Sequence, residues 1–599
     1  MTVLVQLSII RYMERYIRIS GLIIFLCLMI GACTRISSRG DEGGNCFFNG
    51  SCNKGLMCNK ETWICEKWIG CYNCSENAFE CKPGYGNCNH NWKDGCETEL
   101  NKVNRCGTDC NNTVVCSSVN GSNPVCENGI CKLTCNPEYA DCNAKPGYSD
   151  GCEKKIDEKH IWSKSFGGSG YDTGRLVAID SSNNIYLAGE FESASIEFGS
   201  NKQKKLGEQD IFLVKFDSDG HYLWSKRFGG YPKYSEVRAI SVDKTDNVYI
   251  AGTFTKEDFV ERDIFVAKLD SSGNQIWIRR FGGDDEDYVY GIAIDSENNL
   301  YLTGGFESTT IEFGGLPLMN LSEENFGCSP SLMSDIYIVK LDSNGNHLWS
   351  RRFGGIGNDI AYSLAVDKEN NIYITGSFFL SDIDFGGGEL GKGSEALENI
   401  FLVKFDRYGN HIWSKSFKAT SFDSGSLVVD SSDNVYITGW FANSTVDFGG
   451  GALINAGGTD IFLAKFDSSG NHLWSKRFGG EMDEKSTAIA IDALDNLIIT
   501  GWFTSTSIDF GGGALTNIGG ECAGYTCSDI FLAKFDSNGN HLWSKRFGGS
   551  SNDEGYSVSV DSSGNVYGTG FFVGDDTDFG LCPLPNQGEG DIYLIKYKL

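Results

Sequence analysis

The sequence predicts an all-β protein: a seven-bladed β-propeller preceded by a small, loop-dominated domain rich in disulfides. The first observation is a phrase of Trp, polar residues and Phe, usually followed by Gly-Gly, which occurs seven times, at Trp162, Trp224, Trp277, Trp349, Trp413, Trp474 and Trp543. Successive copies are 53 to 72 residues apart, which suits one supersecondary module per repeat. The second observation is that 17 of the 23 cysteines lie between Cys46 and Cys152.

A chain of 599 residues is too long for one hydrophobic core, so separate domains are expected. The composition changes indicate a lipoprotein signal peptide at residues 1–32 and a linker at 33–45. A cysteine-rich disulfide domain then covers residues 46–155, and the propeller covers 156–599.

The signal peptide is predicted from an apolar run over residues 21–32 that follows three arginines. Twelve residues are too few to span a bilayer, which needs about 20, but they fit a secretory signal. The run ends Ile30-Gly-Ala-Cys33, which looks like a bacterial lipobox whose cysteine is lipidated, with an ordinary signal peptide as the alternative. We therefore expect a lipid anchor at Cys33 and a place in the bacterial envelope, at the outer membrane or cell surface. Met13 is an alternative start.

The cysteine-rich segment is expected to hold disulfides, because such density requires an oxidising compartment. Zinc is disfavoured, since the segment has one Cys-x-x-Cys pair, at Cys71 and Cys74, and few histidines. Two stretches that each end in Asp-Gly-Cys-Glu, at residues 94–97 and 150–153, resemble the cysteine-rich modules of bacterial surface lipoproteins. Seventeen is odd, and the connectivity stays open.

Each repeat contains four strand-like runs, and its turns set where a blade begins. Short Asp-Ser-Ser-Gly-Asn loops must join adjacent strands within a blade, whereas the longer passage after Phe-Gly-Gly suits a crossing to the next inner strand. The inner turn occurs seven times but the outer hairpin only six. We therefore predict that residues 160–166 pair with residues 591–599 and close the ring.

The phrases Ile-Tyr-Ile-Thr-Gly, Asp-Ile-Phe-Leu-Ala-Lys-Phe-Asp and Trp-Ser-Lys-Arg-Phe-Gly-Gly resemble the bacterial SBBP β-propeller repeat family. The resemblance extends over all seven units, about 440 residues. It implies an extracytoplasmic repeat protein and carries no catalytic residue to transfer.

Charge and histidine content narrow the function. The formal net charge of −28 argues against nucleic-acid binding. Six of the seven histidines stand just before the Trp of the phrase, five of them two residues before it and His221 three residues before it, so no histidine is unique to the propeller as a catalytic base. An enzyme is not expected, nor an organic cofactor.

Acidic residues recur on the face formed by the crossings and long loops. The acid six residues after the Phe of the phrase is Asp172, Asp287, Asp359, Asp423, Glu484 or Asp553, with Tyr234 in the second blade. A second row precedes Phe-Gly at Glu197, Glu312, Asp384, Asp447, Asp509 and Asp578. These rows either bind Ca²⁺ or a cationic partner, or each acid caps the backbone of its own loop.

One position breaks the repetition. The variable residue of Thr-Gly-x-Phe is aromatic in the last three blades, at Trp440, Trp502 and Phe571. These side chains either form a ligand-stacking patch or pack between blades. In a nearby loop, the spacing of Cys522 and Cys527 permits a local disulfide.

The resulting hypothesis is a monomeric, surface-tethered lipoprotein whose propeller binds an extracellular protein or glycan. One alternative is a polysaccharide-active enzyme that uses loop carboxylates. The other is a passive structural protein of the envelope.

Overall fold

A computed structural model describes residues 154–598 apart from 230–233, 256–260, 322–332, 380–381, 392–397, 419–424, 443–444 and 523–524. Before residue 154 it describes only the backbone of short strands. The chain divides into two compact units, residues 1–153 and Lys154–Leu599. The signal peptide, Cys33 and the cysteines outside those short strands lie outside the described residues.

The first unit contains short antiparallel hairpins. Their paired strands are Leu56–Asn59 with Ile64–Lys67, Tyr85–Gly86 with Thr98–Glu99, Asn101–Lys102 with Arg105–Cys106, and Ser122–Glu127 with Ile130–Cys135. Two further strands of two residues are Tyr139–Ala140 and Lys154–Lys155.

The second unit is a seven-bladed β-propeller built from seven four-stranded antiparallel sheets. We number the blades by their inner strands in chain order. The inner strands are Asp172–Ile179, Ser235–Val242, Asp287–Ile294, Ile360–Val366, Ser426–Val429, Glu484–Ile491 and Asp553–Val560. The second strands are Ile185–Phe191, Val248–Thr255, Leu300–Phe306, Ile372–Phe378, Val435–Ala442, Leu497–Phe503 and Asn565–Phe572.

The third strand of each blade carries the Asp-Ile-Phe motif or its equivalent, and the outer strand carries the Trp phrase. The third strands are Asp210–Phe216, Arg262–Leu269, Asp335–Leu341, Asn399–Phe405, Thr459–Phe466, Asp529–Phe535 and Asp591–Lys598. The outer strands are Tyr222–Phe228, Gln275–Phe281, His347–Phe353, His411–Lys418, His472–Phe478, His541–Phe547 and His160–Phe166.

The ring is closed by strands from both ends of this unit. His160–Phe166 pairs antiparallel with Asp591–Lys598, so the first strand of the unit completes the seventh blade. Each inner strand packs against the inner strand of the next blade, and Asp553–Val560 packs against Asp172–Ile179. The arrangement removes the unpaired edge that an incomplete blade would leave.

The core lies between blades. One hydrophobic cluster joins Tyr249 and Ile264 of blade 2 to Val289 and Leu300 of blade 3, and comparable clusters occupy other junctions. Most second and third strands are buried on both faces, which explains their continuous apolar sequence. We call the end of the ring with the crossings and second-to-third-strand loops the loop face, and the opposite end the turn face.

The Phe-Gly-Gly step is a steric requirement at most blade junctions. A Cβ on Gly167 would lie 1.9 Å from Oδ1 of Asp591, and one on Gly548 would lie 2.0 Å from Oδ1 of Asp529. In the fifth copy of the phrase Lys418 replaces the first glycine, and it pairs with Asn399, which replaces the aspartate. The fifth copy can therefore carry a side chain at this position, because the aspartate that would clash with it is absent.

Candidate functional site

The loop face is the variable end of the propeller. Its second-to-third-strand loops carry small hairpins, for example Ser195–Phe198 with Asn201–Lys204 in blade 1 and Ser507–Asp509 with Ala514–Thr516 in blade 6. Three further hairpins are Thr310–Ile311 with Leu318–Met319, Ile383–Asp384 with Glu389–Leu390, and Thr445–Asp447 with Ala452–Ile454. Variable loops on a rigid scaffold are where recognition usually lies.

The first acidic row starts the inner strands and is committed to the backbone. Each described member is buried and accepts a hydrogen bond from the N–H of the second glycine of Phe-Gly-Gly. The described members are Asp172, Asp287, Asp359, Glu484 and Asp553. Each also accepts from an N–H just after the second strand of its own blade, as Asp172 does from Ser193 at 3.1 Å. Each acid thus links the crossing before its strand to the loop that follows the second strand. The first acidic row therefore caps the backbone of its own loops.

Burial raises the pKa of these carboxyls. The pKa of Asp287 and of Asp553 rises to about 7, and that of Asp359 to about 8. The donated hydrogen bonds lower each pKa, but an aspartate on the neighbouring third strand, such as Asp335 beside Asp359, raises it further. The acids lie in separate blades, so the structure does not bring them together as the ligands of one ion.

Two positions of the first acidic row are not occupied by a described acid. Ser235 pairs with Phe254 in the register in which Asp172 pairs with Phe191, so Ser235 and not Tyr234 is the blade 2 member. The expectation of Tyr234 was wrong because the strand pairing, not the spacing from Phe, defines the position. Asp423 lies outside the described residues.

The second acidic row caps glycine turns at the surface. Oδ1 of Asp384 accepts from the N–H groups of Gly386 and Gly388, and Asp447 and Asp509 make the same contacts in their blades. The turns also explain the repeated histidine. A Cβ on Gly387 would lie 2.1 Å from Cε1 of His411, so the ring of the outer strand packs where the glycine leaves space.

The aromatic residues of blades 5 to 7 are mostly covered. Trp440 is 7% exposed and Phe571 is 5% exposed, while Trp502 is half-buried. The structure brings both tryptophans onto one cation, since Nζ of Lys485 lies 4.1 Å from the Trp440 ring centroid and 5.4 Å from that of Trp502. Phe571 packs instead on Tyr556, with ring centroids 5.8 Å apart. The contacts of these three aromatic residues agree with packing between blades and not with a ligand-stacking patch.

A second set of residues, which the sequence reasoning missed, lines the central channel near the loop face. The inner strands of blades 1, 2, 3, 4, 6 and 7 each contain a β-bulge at the same register, three residues after the row position, and in blade 6 the bulged residue is the small Thr487. Large side chains occupy the position in the other five blades. The large bulged residues are Arg175, Arg238, Tyr290, Tyr362 and Tyr556, all half-buried, and we call them the channel girdle. A bulge re-aims a side chain and is common beside functional sites. In the sequence, the signal that could have identified these residues is one fixed repeat position occupied by large residues that vary from blade to blade.

The channel girdle is continuous across blade boundaries. The guanidinium carbon of Arg175 lies 4.7 Å from the Tyr556 ring centroid, and that of Arg238 lies 5.8 Å from the centroid of Tyr290. The rings of Tyr290 and Tyr362 meet edge to face with centroids 5.5 Å apart. Side chains from five blades therefore form one polar and aromatic surface.

Carboxylates hold the channel girdle in place. Nε of Arg175 donates to Oε2 of Glu190 at 2.9 Å, and the N–H of Val237 donates to the other oxygen of the same glutamate. The hydroxyl of Tyr556 donates to Oε2 of Glu554 at 2.9 Å. Burial raises the pKa of both glutamates, and the Arg175 charge lowers it. The surface thus offers ring faces and guanidinium donors to a ligand, and the carboxylates hold these groups from behind.

Three cysteines of the loops are disulfide-bonded. Cys522 and Cys527 are bonded to each other, with Cα atoms 5.2 Å apart, across a short hairpin of blade 6. Cys582 of blade 7 is also disulfide-bonded. Cys328 lies outside the described residues.

One group of carboxylates within the described ranges has the spacing of a metal site. It comprises Asp367, Glu369 and Asp433 on the turn face. Lys404 pairs with Asp367 at 3.2 Å and Lys368 pairs with Asp433 at 2.8 Å, so two of the three carboxylates already have a cationic partner. Among the residues that the structure describes, no helix is long and apolar enough to cross a membrane.

Comparison with known proteins agrees with the repeat architecture. Residues 161–190, 276–304, 348–377 and 542–570 match the β-propeller repeat SBBP. Each matched segment runs from an outer strand through the next inner strand into the second strand. The propeller of this chain therefore contains SBBP β-propeller repeats.

Two curated proteins show sequence similarity over much of this chain. An uncharacterized WD repeat-containing protein of Acanthamoeba polyphaga mimivirus is 21% identical over 539 residues, covering 73% of this chain and 38% of that protein. The regulatory protein FlaEY of Caulobacter vibrioides is 26% identical over 414 residues, covering 61% of this chain and 39% of that protein. The chain therefore spans under two fifths of either relative.

Solved structures resemble the chain only weakly. A protein of unknown function from Dyadobacter fermentans is 9% identical with a TM-score of 0.36, covering 74% of this chain and 99% of that structure. The polysaccharide lyase Uly1 is 9% identical with a TM-score of 0.39, covering 74% of this chain and 100% of that structure. Similarity at this level supports no functional assignment.

Proposed function

We propose that the chain is an exported, lipid-anchored protein of the bacterial cell envelope that binds an extracellular ligand through its channel girdle. The observation that carries the proposal is the set of equivalent bulges that present arginine or tyrosine from five blades on an otherwise repeated scaffold. A concave surface with aromatic walls and a few fixed polar groups is the usual form of a ligand site.

The chemistry of the channel girdle favours a glycan over an apolar ligand. Tyr290 and Tyr362 provide ring faces on which a sugar can stack, and Arg175, whose side chain is 37% exposed, provides guanidinium donors for hydroxyl groups. A polar loop of an extracellular protein is the second ligand class that this surface fits.

Binding is preferred to catalysis because the loop-face acids are already engaged. The buried row accepts hydrogen bonds from its own loops, as Asp359 does from Gly355 and Phe379. A polysaccharide-active enzyme would need a carboxyl free to reach substrate. A passive envelope protein would need no varied residues at a fixed channel position.

The proposed anchor rests on the sequence alone. Cys33 follows an apolar run at the lipobox offset, and the cysteine-rich segment suits an oxidising compartment. Cys33→Ser should abolish metabolic lipid labelling, and unchanged labelling would contradict the anchor.

The binding proposal is tested by screening the purified chain against a glycan array and a panel of bacterial and host surface proteins. The girdle variant Tyr290→Ala/Tyr362→Ala is screened in parallel. Tyr408→Ala is the matched control, because Tyr408 is 65% exposed in an outer hairpin on the turn face. We expect the native chain and the control to share a ligand that the girdle variant loses. No ligand for any form would contradict the proposal.

A further inference from the structure

In four blades, a buried aspartate near the start of the third strand pairs with an arginine of the outer strand. In blade 5, Oδ2 of Asp460 lies 2.5 Å from Nη1 of Arg477. In blade 6 the guanidinium of Arg546 also donates to the carbonyl of Gly548, the first glycine of Phe-Gly-Gly, at 3.4 Å. Each arginine therefore neutralises a carboxylate that is otherwise buried without a counterion. The four pairs are Asp210–Arg227, Asp335–Arg352, Asp460–Arg477 and Asp529–Arg546, with N–O distances of 2.5 to 3.2 Å.

Blade 7 has the aspartate but not the arginine. By strand pairing, Ser165 occupies the position of Arg477. Asp591 occupies the aspartate position, is 0% exposed and forms no ion pair within the described ranges. Its Oδ2 accepts from the N–H of Gln587 at 2.7 Å. Its Oδ1 has no hydrogen-bond partner, as in the counterpart Asp460, so the difference in blade 7 is the missing cation at Oδ2.

Blade 4 shows that the serine is accommodated when the acid is replaced as well. Ser416 stands at the arginine position and Asn399 at the aspartate position. This buried polar pair is neutral and needs no cation. Blade 7 combines the serine of blade 4 with the aspartate of the other blades. Asp591 is therefore a buried acid whose charge its own blade does not compensate.

A polar cavity of about 500 Å³ lies beside Asp591 at the junction of blades 7 and 1. Its wall includes Ser165, Gly167 and Gln587. The carboxylate lies directly behind this wall, because a Cβ on Gly167 would lie 1.9 Å from Oδ1 and Gln587 donates to Oδ2. The loops that border the cavity, residues 167–171, 192–209 and 573–590, are described throughout.

The surroundings of Asp591 favour a cation. Burial raises the pKa of Asp591 to about 7, and the charges of Asp172 and Asp575 raise it as well. The cavity wall adds Glu197, which is exposed. Lys202 is the one cationic residue of this wall, and it stands opposite Glu197 in the loop hairpin. A cation brought by a ligand therefore meets an excess of negative charge.

We propose that this cavity binds the guanidinium group of an arginine side chain of a partner protein, which takes the place of the missing outer-strand arginine. The guanidinium donates to Oδ2 of Asp591 and to the Gly167 carbonyl, which has the position of the Gly548 carbonyl in blade 6. The side chain of Gln587, which is exposed, moves aside to admit it. The cavity lies among an outer strand and loop residues, so the site is separate from the channel girdle and does not depend on it.

Arginine suits this cavity better than lysine. A planar guanidinium presents several donors at once and can bind a carboxylate and a carbonyl together, as Arg546 does in blade 6. An ammonium group is a compact point charge without this fixed geometry. The arginine is expected within a protein chain, because the free amino acid brings its own carboxylate into an acidic setting.

The test is ligand-observed saturation-transfer NMR with the purified full chain and the peptide acetyl-Gly-Arg-Gly-amide at pH 8, above the pKa of Asp591, which is about 7. We expect saturable binding with a Kd at or below about 1 mM. The matched ligand is acetyl-Gly-citrulline-Gly-amide, which has a neutral urea group in the same shape and should bind at least about tenfold more weakly. Free L-arginine should also bind more weakly than the arginine peptide.

Two substitutions test the assignment to Asp591, each with folding confirmed by circular dichroism. Asp591→Asn reproduces the neutral residue of blade 4 and should abolish peptide binding. Ser165→Arg supplies the missing guanidinium from the chain itself, so it should abolish peptide binding and raise the melting temperature. Ser416→Arg is the matched control, because Asn399 gives its guanidinium no acid to pair with. The control should bind the peptide as the native chain does, without a rise in melting temperature.

Equal binding of the arginine and citrulline peptides would overturn the proposal. So would the absence of arginine-peptide binding at about 1 mM, the weak limit of specific affinity. Native binding in folded Ser165→Arg would overturn it too, by placing the peptide outside this cavity. Tighter binding of free L-arginine than of the peptide would contradict a protein as the source of the guanidinium.

Discussion

Nζ of Lys340 lies 3.0 Å from Oδ2 of Asp295, and the two side chains are 8% and 0% exposed. The pair joins the third strand of blade 3 to its inner turn, where Asp295 also caps the N–H of Asn299. The lysine lies over the Tyr301 ring, 4.7 Å from its centroid. The same pairing occurs as Lys215–Asp180, Lys268–Asp243, Lys404–Asp367, Lys465–Asp430 and Lys534–Asp492. This repeated buried pair explains the lysine of the Asp-Ile-Phe-Leu-Ala-Lys-Phe-Asp motif.

Breaking this pair should destabilise the propeller. Lys340→Met leaves the Asp295 carboxylate buried without its cation, which typically costs about 3–5 kcal/mol. Lys368→Met is the control, because the Lys368 side chain is 59% exposed in its pair with Asp433 and should contribute under about 1 kcal/mol. Urea unfolding of both variants measures the difference. Equal losses would contradict a special role for the buried pair.

The free energy of unfolding should be greater in mild acid than in mild base. The folded pKa of Asp287 and Asp553 is about 7, above the unfolded value, so the folded state binds more protons between the two values. Stability then falls as pH rises from about 4 to about 7 and changes little above that. Turn aspartates such as Asp295 have a lowered pKa, so their contribution is lost as pH falls below about 4. Thermal melting should therefore be highest at about pH 4–5.

Asp287→Asn separates this effect from general charge repulsion. The asparagine does not ionise, so the variant should lose part of the decline in melting temperature between about pH 4.5 and 7.5. Asp447→Asn is the control, since Asp447 is exposed in a glycine turn. An identical pH profile for the native chain and Asp287→Asn would show that this carboxyl does not titrate as inferred.

Trp440→Ala should reduce the free energy of unfolding more than it reduces ligand affinity. Trp440 is 7% exposed and contacts Lys485, so its truncation leaves a cavity that typically costs about 3–5 kcal/mol. Trp502→Ala should cost less because Trp502 is half-buried. Chemical denaturation of the two single variants checks the order. A fully stable Trp440→Ala would return this residue to consideration as a ligand contact.

Ring closure can be tested by truncation. A chain that begins at residue 167 lacks the strand that pairs with Asp591–Lys598, so it exposes that edge and loses the core contacts of Phe166. Its melting temperature should be far below that of a chain that begins at Lys154, which retains the strand. Equal melting of the two forms would contradict closure through this strand.

The sequence predicted the architecture well because the repeat constrains it. The count of seven inner turns against six outer hairpins leads to the pairing of His160–Phe166 with Asp591–Lys598. Turn sequences are informative because Asp180 must accept from the N–H and the side chain of Asn184. Such local contacts recur in every blade and therefore leave a visible pattern.

The site was less predictable because its residues do not repeat. Arg175, Tyr290 and Thr487 share a position but not a chemistry, and the position is defined by the β-bulge in their strands. Trp440 and Trp502 stood out as large residues, yet burial by neighbouring blades cannot be read from the chain.

Ligand binding by the channel girdle is the central proposal for this protein. Its most direct test is isothermal titration of the strongest array ligand into the native chain, Tyr290→Ala/Tyr362→Ala and Tyr408→Ala, each confirmed to be folded by circular dichroism. Loss of aromatic anchors from a binding site typically costs about 2 kcal/mol or more, so the girdle variant should bind at least about thirtyfold more weakly. The Tyr408 control should match the native chain. Native affinity in a folded girdle variant would contradict the claim.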